Sequence, residues 1–321
     1  MIKILANDGL HPYGLTLLEE ANYAVDTEKI AQDKLETVLP EYDVVIVRSA
    51  TEIRKDLIDK CPRLKVIARA GVGVSNIDVA YAQSKNIVVM EAAAAAARSV
   101  AELTFAHIFT LARNLQQAHR EMPTKGNSAF SDLKVSYSTG MQLRNKKLGI
   151  IGFGRVGQEV TRIGMALGMN VMPVDLKVED VDIAINVYNS DQVRLSVNLR
   201  TEEFEKVLKE SDFLTLHIPY TGGAPTIGAE EISRMKDGAF IINTAKGGVL
   251  DENALLEAIE SGKLSGAGLD VYMNEPTPNG ALLNHPNISV TPHIGASTSE
   301  ARGQIALELA DKLLAFFGDD K

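Results

Sequence analysis

Along the chain, short apolar and β-branched runs alternate with longer stretches whose apolar positions recur every three or four residues. Residues 2–6, 43–47, 65–68 and 87–90 are runs of the first kind. The segment at 43–47, DVVIV, is apolar almost throughout, the pattern of a strand covered on both faces. Helical segments fall between these runs at 55–60 and 76–84. Another runs to residue 21 from Pro12, where a missing N–H costs little in a first turn. Strand and helix in alternation predict a parallel sheet. A long helical pattern spans 99–120, with Leu103, Ile108, Leu111 and the half-apolar His107 following its period. Residues 122–143 are polar and turn-rich and read as loop. A second alternation begins at 147, with strands expected at 148–151, 171–174, 213–216, 240–243, 268–271 and 288–291. Its helices are expected at 155–168, 201–209, 229–235 and 253–261. Pro173 falls inside one of these strands and cannot donate to a ladder, so a local irregularity is expected there. The last helical pattern, 298–317, has no sheet of its own. Its simplest use is to cross back to the first domain, which would make that domain discontinuous with a cleft at the crossing.

Composition narrows the class. A chain of 321 residues is long enough for two domains, and 45% hydrophobic with 23% charged residues excludes a disordered or collagen-like polymer. With 33 basic and 42 acidic residues the net charge is −9, and no Lys/Arg block stands out, which argues against nucleic acid and anionic membrane as partners. No apolar run approaches the roughly 18–20 residues of a membrane helix, and the N-terminus lacks the pattern of a signal peptide. The single cysteine, Cys61, excludes an internal disulfide and fits a reducing compartment, so a cytoplasmic protein is expected.

The chemistry begins at Gly152-Phe-Gly154-Arg155-Val156-Gly157, between a predicted strand and a predicted helix. In that context the first glycine permits a tight turn, the second admits a pyrophosphate and the third allows helix and strand to approach. The helix N-terminus supplies N–H groups and positive dipole. Asp175 ends the next strand, where a carboxylate accepts from ribose hydroxyls and repels a 2′-phosphate, so NAD is favoured over NADP. A purely structural glycine turn is the alternative. Three later segments each follow a predicted strand: NTAKGG with Lys246, LDVYMNEP with Asp270 and Glu275, and TPHIGAS with His293. At the ligand-binding edge of a doubly wound sheet they offer a cation, a carboxylate and an imidazole. A surface acid before a turn and a capping histidine are the alternatives. His293 and Glu275 have no further ligands at metal-binding spacing, and no metal is expected.

With VRSAT at 47–51, RAGVGVSNID at 69–78, RSVAEL at 98–103 and LHIP at 216–219, these motifs make the chain resemble the D-isomer-specific 2-hydroxyacid dehydrogenases over nearly its whole length. Within them it is most similar to short D-3-phosphoglycerate dehydrogenases. The resemblance implies two doubly wound α/β domains. A Rossmann NAD domain, 98–291, would be inserted into a discontinuous flavodoxin-like substrate domain, 1–97 and 292–321. It implies that His293 takes the substrate hydroxyl proton, that Glu275 orients the imidazole and fixes its tautomer, and that Lys246 holds the substrate carboxylate and polarises the C2 oxygen. Most of the family has arginine at the position of Lys246. Lysine, a point charge without the planar fork, reads as the mark of a subgroup. Arg48 and Ser49, after the strand at 43–47, would bind a substrate phosphate, a surface ion pair being the alternative for Arg48. Gly71, Val72 and Gly73 would let backbone approach substrate and nicotinamide. His217, Ile218, Pro219, Thr244, Ala245, Asp270, Gly295 and Ala296 fall on cofactor-lining positions, with His217 a structural lip and His107 a core or interface residue. A homodimer built on the nucleotide-binding domains, with the helix at 99–120 involved, is implied.

One segment departs from the family. Ala92–Ala97 is a run of six alanines, preceded by Glu91, where the family has a polar Pro/Asn/Ser/Gly loop usually following asparagine. Alanine removes every side-chain hydrogen bond there and favours helix, so the run should extend the following helix backwards. It reads as a natural helix start or as a poly-alanine replacement of the loop. The expectation is retained fold and NAD binding with weakened substrate binding or turnover. The leading reading is NAD-dependent oxidation of 3-phospho-D-glycerate to 3-phosphohydroxypyruvate at the entry to serine synthesis. No appended regulatory domain is expected after the last helix. The alternatives are a hydroxypyruvate, glyoxylate or other 2-hydroxyacid enzyme, and an NAD(H)-binding protein with catalysis lost.

Overall fold

Two sheets, each parallel throughout, organise the chain. The structure, a computed structural model, describes all residues except 72, 75, 93–94, 187–193 and 319–321, and only the backbone of Asn186 and Arg194. Residues Met1–Ser99 and Ala296–Lys321 form one compact unit and Val100–Gly295 a second.

The first unit holds β1 (Lys3–Ala6), β2 (Ala24–Asp26), β3 (Val44–Val47), β4 (Val66–Arg69) and β5 (Val88–Glu91). They lie in the order β2-β1-β3-β4-β5, the flavodoxin-like arrangement whose switch point falls between β1 and β3. The continuous apolar run of β3 is divided between two cores. Val44 and Ile46 face one side with Leu18, Leu309 and Leu313, while Val45 and Val47 face the other with Leu35, Leu57 and Ile58. The chain returns in the helix Ser299–Gly318, which packs on the helix Pro12–Glu20. Gly14 makes this contact possible, because a Cβ there would lie 2.6 Å from the Ala306 carbonyl oxygen.

The second unit holds β6 (Lys147–Ile151), β7 (Asn170–Val174), β8 (Asp180–Asn186), β9 (Arg194–Arg200), β10 (Phe213–Leu216), β11 (Ala239–Asn243), β12 (Leu264–Leu269) and β13 (Ile288–Val290). Six of them form a sheet in the order β13-β12-β11-β10-β6-β7, and β8 pairs with β9 in an antiparallel ribbon. Strand order reverses at β6 and β10, which sets the ligand crevice at their carboxyl ends.

Three expectations are corrected and a fourth is met in part. The pattern at 99–120 is two helices, Ala97–Ala112 and Leu115–Lys125, separated where Asn114 turns left-handed at φ 53°. Residues 122–143 are not a loop throughout, since Leu115–Lys125 continues into them and Phe130–Ser136 is helical. Pro173 causes no irregularity. It pairs in register with Ile150 on β7, the edge strand of its sheet, where one side has no ladder to donate to. The alanine run extends the following helix backwards by two residues only, to Ala97; Ala95 and Ala96 form a turn, and Ala92 and Ala96 sit fully buried in the core of the first unit.

Candidate active site

At the switch point of the second unit, β6 ends and the backbone turns sharply at Gly152, φ 98°. A Cβ on Gly152 would lie 2.5 Å from the His217 carbonyl oxygen, and one on Gly157 2.1 Å from that of Gly152. Both glycines are therefore required by backbone packing. Gly154 is not: a Cβ there would meet nothing within 4 Å, and Gly154 N-caps the helix Arg155–Ala166 with its backbone open on that side. An open, side-chain-free helix start fits the pyrophosphate of a dinucleotide. Arg155 is exposed beside it and Val156 half-buried. Asp175, beyond β7, accepts from Phe153 N–H at 2.8 Å through Oδ2, and from Lys177 and Val178 N–H at 2.8 and 3.2 Å through Oδ1. Burial opposes ionisation of Asp175, yet the three backbone donors outweigh it and lower its pKa. The carboxylate thus pins the glycine turn as well as standing where a ribose would be read.

His217 follows β10. Its Nε2 meets Thr215 Oγ1 at 2.9 Å, and Nδ1 is buried without a hydrogen-bond partner among the described residues. Burial pushes its pKa down to about 3, so the ring is neutral. Ile218 packs on the core beside it, and Pro219 is exposed.

β11 delivers Thr244, Ala245 and Lys246. The Asn243 amide ties this turn, accepting from Ala245 N–H at 3.1 Å and donating to the Lys246 carbonyl at 3.0 Å. Thr244 Oγ1 lies 2.8 Å from Thr104 Oγ1. β12 delivers Asp270, which is 1% exposed. Its Oδ1 accepts from Ile294 N–H and its Oδ2 from Gly295 N–H, each at 2.8 Å. Glu275 accepts from Tyr272 N–H at 3.0 Å through Oε1, and its Oε2 lies 2.8 Å from His293 Nδ1. A carboxylate accepts, so Nδ1 donates and the imidazole presents Nε2. Among the described residues Nε2 has no hydrogen-bond partner. His293 adopts φ 54°, a left-handed conformation uncommon outside glycine, with its side chain 46% exposed. Imidazole, carboxylate, lysine-bearing turn and glycine turn all occupy the carboxyl edge of one sheet.

In the first unit, Arg48 follows β3 and Arg69 ends β4, the strand beside β3 on the side away from the switch point. Asp8 Oδ2 accepts from Arg48 N–H at 2.7 Å, and Asn76 donates to the Arg48 carbonyl at 2.7 Å, so the backbone of that turn is fixed. Arg69 is missing from the sequence-based set. It is 9% exposed, and among the described residues its Nη1 donates only to the Ala70 carbonyl at 3.3 Å and its Nε has no partner. Burial lowers its pKa, the nearby Arg48 lowers it further, and Asp8 and Glu91 oppose the change. Neither arginine side chain forms an ion pair among the described residues. The available signal was position, since Arg69 opens the RAGVG motif at a strand end. Gly71 has φ 149°, and a Cβ there would lie 2.9 Å from Arg69 Nη1. Gly73 N–H donates to Glu91 Oε2 at 3.0 Å. Val72 lies outside the described residues. Ser49 is exposed, and Ala296 belongs to this unit's core while the other cofactor-lining residues belong to the second unit.

Comparison with known proteins gives this architecture its family. Residues 105–295 match the model of the D-isomer specific 2-hydroxyacid dehydrogenase NAD binding domain. The chain is 38% identical to hydroxypyruvate reductase of Thermotoga maritima over 98% of both proteins. It is 39% identical to D-3-phosphoglycerate dehydrogenase of Methanocaldococcus jannaschii over 98% of this chain but 58% of that longer relative. Among solved structures, NAD-dependent formate dehydrogenase of Staphylococcus aureus in complex with NAD superposes with a TM-score of 0.76 at 27% identity, covering all of this chain and 96% of that one. The chain belongs to the D-isomer-specific 2-hydroxyacid dehydrogenases, a family of NAD-dependent enzymes acting on small 2-hydroxy acids. Among the described residues no helix is long and apolar enough to cross a membrane.

Two histidines whose rings lie largely out of solvent set one stability expectation. His217 and His107, at about 3 and about 4, are both depressed by burial from an ordinary 6.5. Each contributes stability that is complete above the unfolded value and is lost as pH falls from 6.5 towards the folded one. The melting temperature is expected to fall steadily from pH 6.5 to 5, before most carboxylates titrate. Calorimetry showing no change across that interval contradicts the assignment.

Proposed function

We propose that the protein oxidises 3-phospho-D-glycerate to 3-phosphohydroxypyruvate. The observation that carries the chemistry is the His293–Glu275 pair at 2.8 Å, with Nε2 presented at the edge that also carries the glycine turn. NAD, held at that turn by the N-terminus of the helix Arg155–Ala166 and by Asp175, supplies the acceptor for the hydride that leaves C2. His293 Nε2 takes the C2 hydroxyl proton as the C2–H bond breaks and the carbonyl forms. Glu275 steadies the resulting imidazolium and keeps the ring in register. Lys246 holds the substrate carboxylate and draws charge towards the C2 oxygen.

Arg48 and the buried Arg69 bind the phosphate. Two guanidinium groups at the ends of neighbouring strands, neither in an ion pair among the described residues and one of them buried, are costly unless an anion completes them. A second reading, reduction of hydroxypyruvate, draws on the match over 98% of both chains to a relative of that name.

Glu91 bears on the same site. Its carboxylate acts on Arg69 and competes with an incoming anion. Glu91→Asn is expected to raise kcat/KM for the phosphorylated acid about five- to tenfold, the effect of removing one nearby charge. Adding Ala95→Ser, which places a hydroxyl in the alanine run, is expected to raise it further. Unchanged or lower kcat/KM in both variants counts against this account of the loop.

A homodimer is part of the proposal. The exposed apolar residues Phe109, Leu115, Met122, Phe130 and Val135 lie on three successive helices of the second unit. Light scattering is expected to give twice the chain mass of 34.7 kDa.

The reaction is tested with 3-phospho-D-glycerate deuterated at C2. Mass spectrometry is expected to find the deuterium in the reduced cofactor. Reduced cofactor without label, or none formed, rejects the proposed step.

A further inference from the structure

His107 is buried, at 2% exposure, on the helix Ala97–Ala112. Its ring lies so close to β12 that a Cβ on Gly268 would come within 2.6 Å of the His107 Cβ. Nδ1 lies 2.8 Å from Ser289 Oγ on β13, and Nε2 lies 3.1 Å from Thr291 Oγ1. Thr291 Oγ1 donates in turn to Asp270 Oδ1 at 2.6 Å. Asp270 also takes the N–H groups of Ile294 and Gly295, the two residues after His293. On the other side of the same strand end, the Tyr272 hydroxyl donates to the Thr291 carbonyl at 2.9 Å.

Donor and acceptor roles follow from the carboxylate. Asp270 can only accept while ionised, so the single Thr291 hydroxyl hydrogen is committed to it. Thr291 Oγ1 must then accept from the ring, which places the imidazole hydrogen on Nε2. Nδ1, left with a lone pair, accepts from Ser289. The order is thus fixed from Ser289 through His107 and Thr291 to Asp270. Burial supports a neutral ring, pushing His107 down to about 4, and the titratable groups facing it are Asp270 and, through Thr291, Tyr272.

We infer that His107 is a positioning residue for the proposed reaction: its Nε2–H tautomer orders Thr291 and Asp270, and Asp270 holds the left-handed turn that presents His293. This rests on the reading of His293 as proton acceptor. A non-glycine residue at φ 54° keeps that conformation only where its surroundings over-determine it. The two N–H groups clamped by Asp270 provide the constraint, and His107 fixes the hydroxyl that keeps Asp270 aimed at them. Both ring nitrogens of His107 are taken by Ser289 and Thr291, so its effect falls on placement.

The test has two arms on the intact protein. Long-range proton–nitrogen NMR of the histidine rings is expected to show His107 protonated on Nε2 and bare on Nδ1 at neutral pH. The opposite tautomer, or a ring titrating near 6.5, overturns the hydrogen-bond order. In steady-state kinetics, His107→Leu and Thr291→Val are each expected to lower kcat about 10- to 100-fold with KM for NADH within about threefold, the range of a displaced catalytic group. The double variant is expected to be no worse than either single one, and His107→Gln, which restores an N–H donor, should recover most of the loss. Multiplicative losses, or equal losses in His107→Leu and His107→Gln, reduce His107 to a packing residue. Absence of turnover by the unaltered protein defeats the proposed function and the positioning role with it, while the tautomer separately decides the hydrogen-bond order.

Discussion

Replacing His293 with asparagine is expected to lower kcat by about 10²- to 10⁴-fold, the contribution of a positioned general base. Binding of NADH, followed by its fluorescence, should be almost unchanged, because the glycine turn and Asp175 lie on other loops. The left-handed backbone at φ 54° suits asparagine better than most residues, so the loop should survive the change. Glu275→Gln tests the other half of the pair. The amide oxygen can still accept from Nδ1–H and hold the ring, at the cost of the bond from Tyr272 N–H, but it carries no charge to steady an imidazolium. A smaller loss than in His293→Asn is therefore expected, with KM little changed. Turnover within tenfold of the unaltered protein in His293→Asn would remove His293 from the chemistry.

The second large effect belongs to Arg69. Substituting methionine keeps much of the apolar stem and removes a buried cation that has one backbone hydrogen bond and an unpartnered Nε. If a phosphate completes this group, Arg69→Met should lower kcat/KM for 3-phosphohydroxypyruvate about 10- to 100-fold, as for one or two charge-assisted hydrogen bonds. Turnover of unphosphorylated hydroxypyruvate should change far less. Arg48→Met should follow the same pattern. Because the free protein is relieved of an unpaired buried charge, its melting temperature should stay level or rise in Arg69→Met. Equal losses on both substrates would give Arg69 a role in holding the strand end, and the phosphate assignment would fall.

Much of this was readable from residue order, and the omissions share physical causes. Continuous apolar runs such as 43–47 stand out because both faces of each sheet are covered. β2 did not: it has three residues, Ala24 and Val25 are only half-buried, and its place at the sheet edge asks little of its side chains. The ribbon of β8 and β9 carries a clear two-residue alternation, Val181, Ile183, Ile185 against Leu199, Val197, Leu195, but it interrupts a strand–helix grammar that otherwise accounts for the region. The helix Leu115–Lys125 buries no residue, so no apolar stripe betrays it. At the site, motifs carried His293, Glu275, Lys246 and the glycine turn. They did not carry the links from His107 to Ser289 and Thr291, whose partners stand 182 and 184 positions away and meet only when the helix packs against β13. Arg69 was hidden for a related reason: sequence places it at a strand end, and only the fold leaves it buried without an ion pair among the described residues.

The most direct measurement is the rate of NADH oxidation by the purified protein with 3-phosphohydroxypyruvate, set beside hydroxypyruvate and glyoxylate under the same conditions. Turnover of all three is expected, with kcat/KM for the phosphorylated acid at least about tenfold above the others, the minimum worth of one charge-assisted contact. Turnover confined to the two small acids would contradict the phosphate site and assign the protein to their reduction. No turnover, with NADH still bound, would contradict the catalytic assignment itself.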